Sequence, residues 1–124
     1  MAIEFFEESN IGTRTLPRSV ATRAGGFVFV SGQVARDENG VIVAGEIEAH
    51  TRQTMKNVTR ALALAGCTLD DVVKVTVWLD DAREFNEFNR VYREFFNEPY
   101  PARTTVATTF EDETLIEIDV VARK

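Results

Sequence analysis

Two hydrophobic periods alternate along this chain of 124 residues. Alternating or continuous apolar runs between turn residues predict strands, and these lie at positions 3–7, 27–31, 41–43, 72–79, 103–110 and 115–122. Apolar residues at helical spacing predict one helix from about Glu48 to Gly66 and a second after the capping residue Asp81, ended by Pro99. The predicted order is therefore βββαβαββ.

This order predicts an α+β fold, in which two helices cover one face of a mostly antiparallel sheet. No linker or internal repeat divides residues 1–124, so we expect a single domain. The uncovered face would carry Val72, Trp78 and one side of the strand Phe27–Val30. A monomer rarely exposes so apolar a surface to water, so we expect subunits to associate through this face.

The last two predicted strands carry charges at period-two spacing, which indicates a shared polar face. A hairpin that sets Val106 and Phe110 beside the isoleucines of the final strand keeps apolar residues together. This pairing predicts four polar residues together on the face without helices: Arg103, Thr105, Glu117 and Asp119.

Two interpretations of this polar group are open. One is a solvated or interfacial ion pair, which is common in proteins. The other is a catalytic site: the planar fork of Arg103 binds a carboxylate with two hydrogen bonds, and Glu117 orients and deprotonates a water. Such a site suits the hydrolysis of a small substrate that carries a carboxylate.

Composition excludes several other classes. The net charge is −6 and the isoelectric point is about 4.8, which argues against a non-specific nucleic-acid binder. His50 has no partner for a triad or a metal site, so we expect a surface or capping role, and the single cysteine Cys67 is expected to be buried or inert. Neither a signal peptide nor a membrane span is predicted, and a cytoplasmic protein is expected.

Several motifs resemble the Rid family, the reactive intermediate deaminases also called the YjgF or L-PSP family. Their order and spacing are more specific than any one of them. They are Phe29-Val30-Ser31-Gly32-Gln33, Asn57, Ala65-Gly66, Lys74-Val75-Thr76-Val77, Asn89-x-x-Tyr92-x-x-Phe95-Phe96, Tyr100-Pro101-Ala102-Arg103 and Ile116-Glu117-Ile118.

The resemblance implies a chorismate-mutase-like fold, assembled as a homotrimer with a central barrel and clefts between subunits. It implies hydrolysis of enamines and imines such as 2-aminoacrylate to 2-keto acids and ammonia, without a cofactor. By position, Arg103 would hold the substrate carboxylate and Glu117 would position water. The same carry-over assigns substrate contacts to Ser31, Gly32 and Asn89.

Two positions depart from the archetypal branch of that family, which has a tyrosine at Arg18 and a cysteine at Thr105. Arg18 is either a loop cation or a cleft residue for a second substrate carboxylate. Three other functions are therefore open: a deaminase for another substrate, such as an aminoacrylate derivative or 2-aminomuconate; a trimer that binds small carboxylates or acts as a chaperone without turnover; and an endoribonuclease of the L-PSP type.

Overall fold

The computed structural model describes residues 2–8 and 16–124, and in them the elements follow the predicted order. The strands are β1 (Glu4–Phe6), β2 (Ala21–Ala24), β3 (Phe27–Val34), β4 (Val72–Leu79), β5 (Ala102–Ala107) and β6 (Ile116–Arg123); the helices are α1 (Ile47–Leu64) and α2 (Phe85–Tyr92). The strand predicted at 41–43 is wrong, because Ile42 forms only an isolated bridge with Arg36. The order still has three strands before α1, because β2 was not predicted. This strand pairs with β3 across Gly25 and Gly26.

The strands form one mixed sheet in the order β1-β2-β3-β6-β4-β5. The α+β class is confirmed. Every pairing is antiparallel except that of β4 with β5, which is parallel. The predicted β5–β6 hairpin is wrong, because β6 lies between β3 and β4 and the chain crosses over β4 to reach it. Antiparallel neighbours can follow a short turn, whereas this crossover uses residues 108–115.

Both helices pack on one face of the sheet, which we call the helix face. The isoleucines of β6 lie there as predicted, together with the apolar side of β4 and the stripes of the two helices. The buried set includes Val28, Val30, Met55, Val58, Leu62, Val75, Val77, Leu79, Phe88, Ile116, Ile118 and Val120. Val72 also lies in this core, contrary to the sequence prediction, because an irregularity in the register leaves Val73 exposed instead.

The other side of the sheet, which we call the open face, bears several exposed apolar side chains. Phe5 is 64% exposed, Phe29 46%, and Phe27 and Val106 each 40%. Trp78, whose indole is half-buried, belongs to the same side because it alternates with the buried Val77. A water-exposed sheet face would ordinarily be polar, so this surface is unusually apolar.

Two buried polar side chains join α1 to the loops beside the sheet. Asn57 donates from its side-chain amide to the backbone oxygens of Val34 and Arg36, each at 2.8 Å. His50 is 3% exposed and its Nδ1 accepts a hydrogen bond of 3.1 Å from the backbone N–H of Leu115. The expected surface or capping role of His50 is therefore wrong. Burial lowers the pKa of this imidazole, although a backbone hydrogen bond with Val43 and the charge of Glu46 oppose the shift.

The end of α1 and the capping residue before α2 agree with the sequence prediction, whereas α2 ends at Tyr92, seven residues before the predicted stop at Pro99. Gly66 adopts a φ of +74°, and the following backbone N–H, that of Cys67, returns to the oxygen of Leu62 and closes α1. Cys67 is buried, as expected. Asp81 caps a short 3-10 turn before α2 and accepts from the N–H of Arg83 at 2.9 Å. Across residues 2–8 and 16–124, neither helix combines the length and apolar character that crossing a bilayer needs.

Candidate active site

Arg103 lies on the helix face, not on the open face as predicted. In the parallel pairing of β4 with β5, Arg103 is the register partner of Val75, and Thr105 is the partner of Val77. Register partners project to the same side of a sheet, and both valines are fully buried beneath the helices. Because the predicted neighbour of β5 was wrong, the predicted side of the sheet for Arg103 and Thr105 was wrong as well.

Three aromatic rings of α2 surround the Arg103 guanidinium. Its central carbon lies 4.7 Å from the ring centre of Tyr92, 5.2 Å from that of Phe88 and 5.7 Å from that of Phe85. These rings recur every three to four residues, so they share one side of the helix. Their helical spacing helped to predict this helix, but it did not reveal that the rings also hold a cation. Stacking uses the flat faces of a guanidinium and leaves its N–H edge available to bind an anion.

A small cavity opens beside this guanidinium, and we call it the arginine pocket. Its volume is about 240 Å³, and it is lined by Asn89, Tyr92, Arg93, Tyr100, Pro101 and Arg103. Ligand pockets commonly range from about 300 to 1,000 Å³, so this cavity suits a small metabolite. Of these residues, the sequence pattern marked Asn89 and Arg103 as site residues; Tyr100 belongs to a quoted motif but was given no role, and Arg93 carried no signal.

The hydroxyl of Tyr92 is buried in the wall of this pocket. Tyr92 is 4% exposed, and within residues 2–8 and 16–124 its Oη has no partner in hydrogen-bond geometry. Burial raises the pKa of Tyr92 to about 12, and the nearby Arg103 charge opposes the shift. The phenol therefore stays protonated near neutral pH and is available as a donor.

Glu117 lies on the open face, so one protomer keeps it apart from Arg103. Glu117 pairs with Trp78, which pairs with Val106, and Arg103 precedes Val106 by three residues. The two Cα positions are thus separated by two strand spacings, about 10 Å, and by about 10 Å along the strand. Their side chains also project to opposite sides of the sheet. One small molecule cannot contact both residues of the same protomer.

The Glu117 carboxylate packs directly over Gly32. A Cβ added at position 32 would lie 2.9 Å from the Glu117 Cδ and would overlap its Oε2. Burial raises the pKa of Glu117, and the charges of Asp119 and Asp112 add to this shift, while Arg18 opposes it. A carboxyl group with a raised pKa is better matched to proton transfer near neutral pH.

The remaining predicted site residues divide between the two sides. Arg18 is exposed, and its charge acts on Glu117. Ser31 precedes Gly32, but its hydroxyl donates to the backbone oxygen of Ser19 at 2.6 Å. Thr105 lies on the helix face, where it lines a second cavity that also includes Phe85. The structure therefore brings Asn89 to Arg103, and Gly32 and Arg18 to Glu117.

Gly32→Ala is expected to displace the Glu117 carboxylate while changing the melting temperature by no more than a few degrees. The obstructing atoms are the end of a flexible side chain, and Gly32 does not adopt a positive φ, so the backbone can stay in place. A crystal structure and a thermal melt of the variant would check this.

Gly26→Ala is the matched control, because it has open space but a φ of +82°. It should cost about 1–2 kcal/mol of stability and leave the carboxylate unmoved. A Gly32→Ala structure with Glu117 in its original place would contradict the proposed contact.

Among residues 2–8 and 16–124, no three His, Cys, Asp or Glu side chains are arranged to hold a metal ion. The candidate site residues described above carry guanidinium, phenol, amide and carboxylate groups. Such groups bind small anions and transfer protons.

Comparisons with known proteins agree on one group of relatives. The family model described as endoribonuclease L-PSP matches residues 14–124. A RutC family protein of Pyrococcus horikoshii is 44% identical over 110 residues, which are 87% of each chain. The human 2-iminobutanoate/2-iminopropanoate deaminase is 34% identical over 108 residues, 86% of this chain and 79% of that one. A Rid family protein of Yersinia pestis superposes with a TM-score of 0.91 at 32% identity, covering 99% of this chain and 100% of that one.

Proposed function

Because the chain belongs to the endoribonuclease L-PSP family, also called the Rid family, which includes imine deaminases, we propose that it hydrolyses small 2-imino acids and their enamine tautomers, of the 2-aminoacrylate type, to 2-keto acids and ammonia. The observation that carries this proposal is the Arg103 guanidinium, which lies against three aromatic rings and lines a small pocket. A carboxylate beside the imine carbon gives this guanidinium its partner.

The proposed site combines Arg103 of one protomer with Glu117 of a second copy. The two residues lie on opposite sides of one sheet, so a single protomer cannot bring both side chains to one substrate. The apolar open face, with Phe27 and Phe29 exposed, supports self-association of the chain. We propose the homotrimer that the Rid resemblance implies, with the cleft between neighbouring subunits.

The proposed reaction begins when the enamine takes up a proton at carbon and becomes the imine. Arg103 holds the carboxylate and fixes the imine carbon in place. Glu117 accepts a proton from a water as its oxygen bonds to that carbon, and a tetrahedral carbinolamine forms. That proton then passes to the nitrogen of the carbinolamine and the C–N bond breaks, so that ammonia leaves with the electron pair, while the hydroxyl gives its own proton to the Glu117 carboxylate and becomes the keto oxygen. Imines already hydrolyse in water, so holding the reactants in place can supply much of the acceleration.

The raised pKa of Glu117 supports its role in this proposal. A carboxylate whose pKa lies closer to neutrality is a stronger base toward water, which favours removal of the water proton during the attack. Asn89 lines the arginine pocket and offers an amide hydrogen bond to the substrate. Gly32 keeps the space over which the Glu117 carboxylate lies.

The first test is the release of pyruvate from 2-aminoacrylate that a serine dehydratase generates in situ. The protein is expected to shorten the lifetime of the intermediate in proportion to its concentration. Semicarbazide, which traps the imine, would report how much remains. A heat-denatured sample is the control. No acceleration by a folded and assembled sample would overturn the proposal.

A further inference from the structure

Most arginines in the described part of the chain form ion pairs, and two of those that do not line one cavity. Six of them, namely Arg23, Arg36, Arg52, Arg60, Arg83 and Arg90, have a carboxylate partner. Within residues 2–8 and 16–124, no such partner is found for Arg18, Arg93, Arg103 or Arg123. Two of these four, Arg93 and Arg103, line the same cavity.

Among the residues that the structure describes, none that lines the arginine pocket carries a carboxylate. Besides the two guanidinium groups, it presents two phenols, one amide and one proline. The chain as a whole has a net charge of −6, so carboxylates are plentiful elsewhere on it. A pocket with two cations and no internal counter-charge attracts a ligand with two negative charges.

The two arginines differ in how they are held. Arg103 is half-buried and is fixed by the rings of α2, so it can set the position of one anionic group. Arg93 follows α2, is exposed, and can adjust its side chain to a second group. The buried Tyr92 hydroxyl, which lies beside Arg103, has no partner in hydrogen-bond geometry among residues 2–8 and 16–124, so it is open to a ligand in this pocket.

We infer that the arginine pocket binds a small dicarboxylate, with the first carboxylate on Arg103 and the second on Arg93. This inference rests on the proposed function and deepens it: the preferred substrates are imines of dicarboxylic 2-keto acids, formed from acidic amino acids. The cavity of about 240 Å³ has room for a short dicarboxylate. Arg93 is thus a residue that determines substrate specificity.

The test compares two imines made in situ by amino-acid oxidases. Glutamate gives 2-iminoglutarate, with two carboxylates, and alanine gives 2-iminopropanoate, with one. In the wild type, kcat/KM for the dicarboxylic imine is expected to exceed the other by about tenfold or more, the effect of one charge-assisted hydrogen bond. Arg93→Gln should reduce this ratio to near one.

Arg123→Gln is the matched control, because it removes the same charge from another exposed arginine at the end of β6. It should keep the wild-type ratio. A general effect of net charge would change both variants alike and would contradict the inference. Equal turnover of the two imines by the wild type would also overturn it, while leaving the proposed deaminase function standing.

Binding gives a second readout that does not depend on turnover. Calorimetry with 2-oxoglutarate and 2-oxobutanoate should show tighter binding of the dicarboxylate, lost in Arg93→Gln. Selective binding without turnover of any imine would support the pocket assignment and overturn the deaminase proposal. If inorganic phosphate binds as tightly as 2-oxoglutarate, the site recognises a generic dianion and the dicarboxylate inference is wrong.

Discussion

Arg103→Ala is expected to lower kcat/KM for 2-iminopropanoate by about a hundredfold or more and to leave the fold intact. A bidentate arginine supplies two hydrogen bonds to a carboxylate, and each bond to a charged group contributes about 1.5–3 kcal/mol. The stability effect should be small, because Arg103 is only half-buried and forms no ion pair with a described carboxylate. Pyruvate release and circular dichroism would measure the two effects.

Two further variants separate charge from geometry. Arg103→Lys keeps the charge but lacks the planar fork that stacks on Phe88 and Tyr92, so its activity should also be well below that of the wild type. Arg123→Ala removes an exposed arginine from the end of β6 and should be unchanged. If Arg103→Ala kept activity within threefold of the wild type, Arg103 would not be the substrate anchor.

The second large effect is expected from mixing two inactive variants. Arg103→Ala and Glu117→Gln should each be nearly inactive alone. Co-expressed in equal amounts, they should recover roughly a quarter of the wild-type activity, because each cleft of a cyclic assembly takes one side from each neighbour. An intact cleft needs Arg103 from a Glu117→Gln subunit and Glu117 from an Arg103→Ala subunit. Each of these occurs about half of the time when subunits assort randomly.

The control for this experiment pairs Arg103→Ala with the double variant Arg103→Ala/Glu117→Gln. That mixture offers no arginine to any cleft and should stay at background. Different affinity tags on the two chains would isolate mixed assemblies before the assay, and light scattering would give their size. If the first mixture also stayed at background, the site would not be divided between copies.

The strands and helices with strong local patterns were predictable from the sequence. β4 spans Val72–Leu79, as the alternation of its residues predicted, and α1 ends before Gly66 as expected. The hairpin of β2 and β3 was missed, although Gly25 and Gly26, with φ of +58° and +82°, provide the two-residue turn that favours it. The short run Ala21–Ala24 carries too few apolar residues to show a strand period.

The pairing of distant strands was not predictable in the same way. Local sequence favours a hairpin between consecutive strands, and nothing in residues 108–115 shows that they cross over β4. The error moved Arg103 to the wrong side of the sheet, because a strand's partner sets which of its residues face the helices. The buried location of His50 was likewise not predictable, because its hydrogen-bond donor is the backbone N–H of Leu115, 65 positions away.

The candidate site was partly predictable through residue types. An arginine, a glutamate and a glycine in recognisable motifs indicated carboxylate binding and water activation. The motifs did not predict what surrounds these residues, namely the rings that hold Arg103 and the contact between Gly32 and Glu117. Both depend on the packing of elements that are far apart in the chain.

Because the sheet separates Arg103 from Glu117, substitutions around one of these residues can leave the surroundings of the other unchanged. The helix-side pocket is built by α2 and β5, and the carboxylate opposite is held by β3 and β6. Substitutions more than about 7–10 Å apart that share no partner usually have additive effects on folding stability. The lining of the arginine pocket can therefore change while the Glu117 carboxylate keeps its environment.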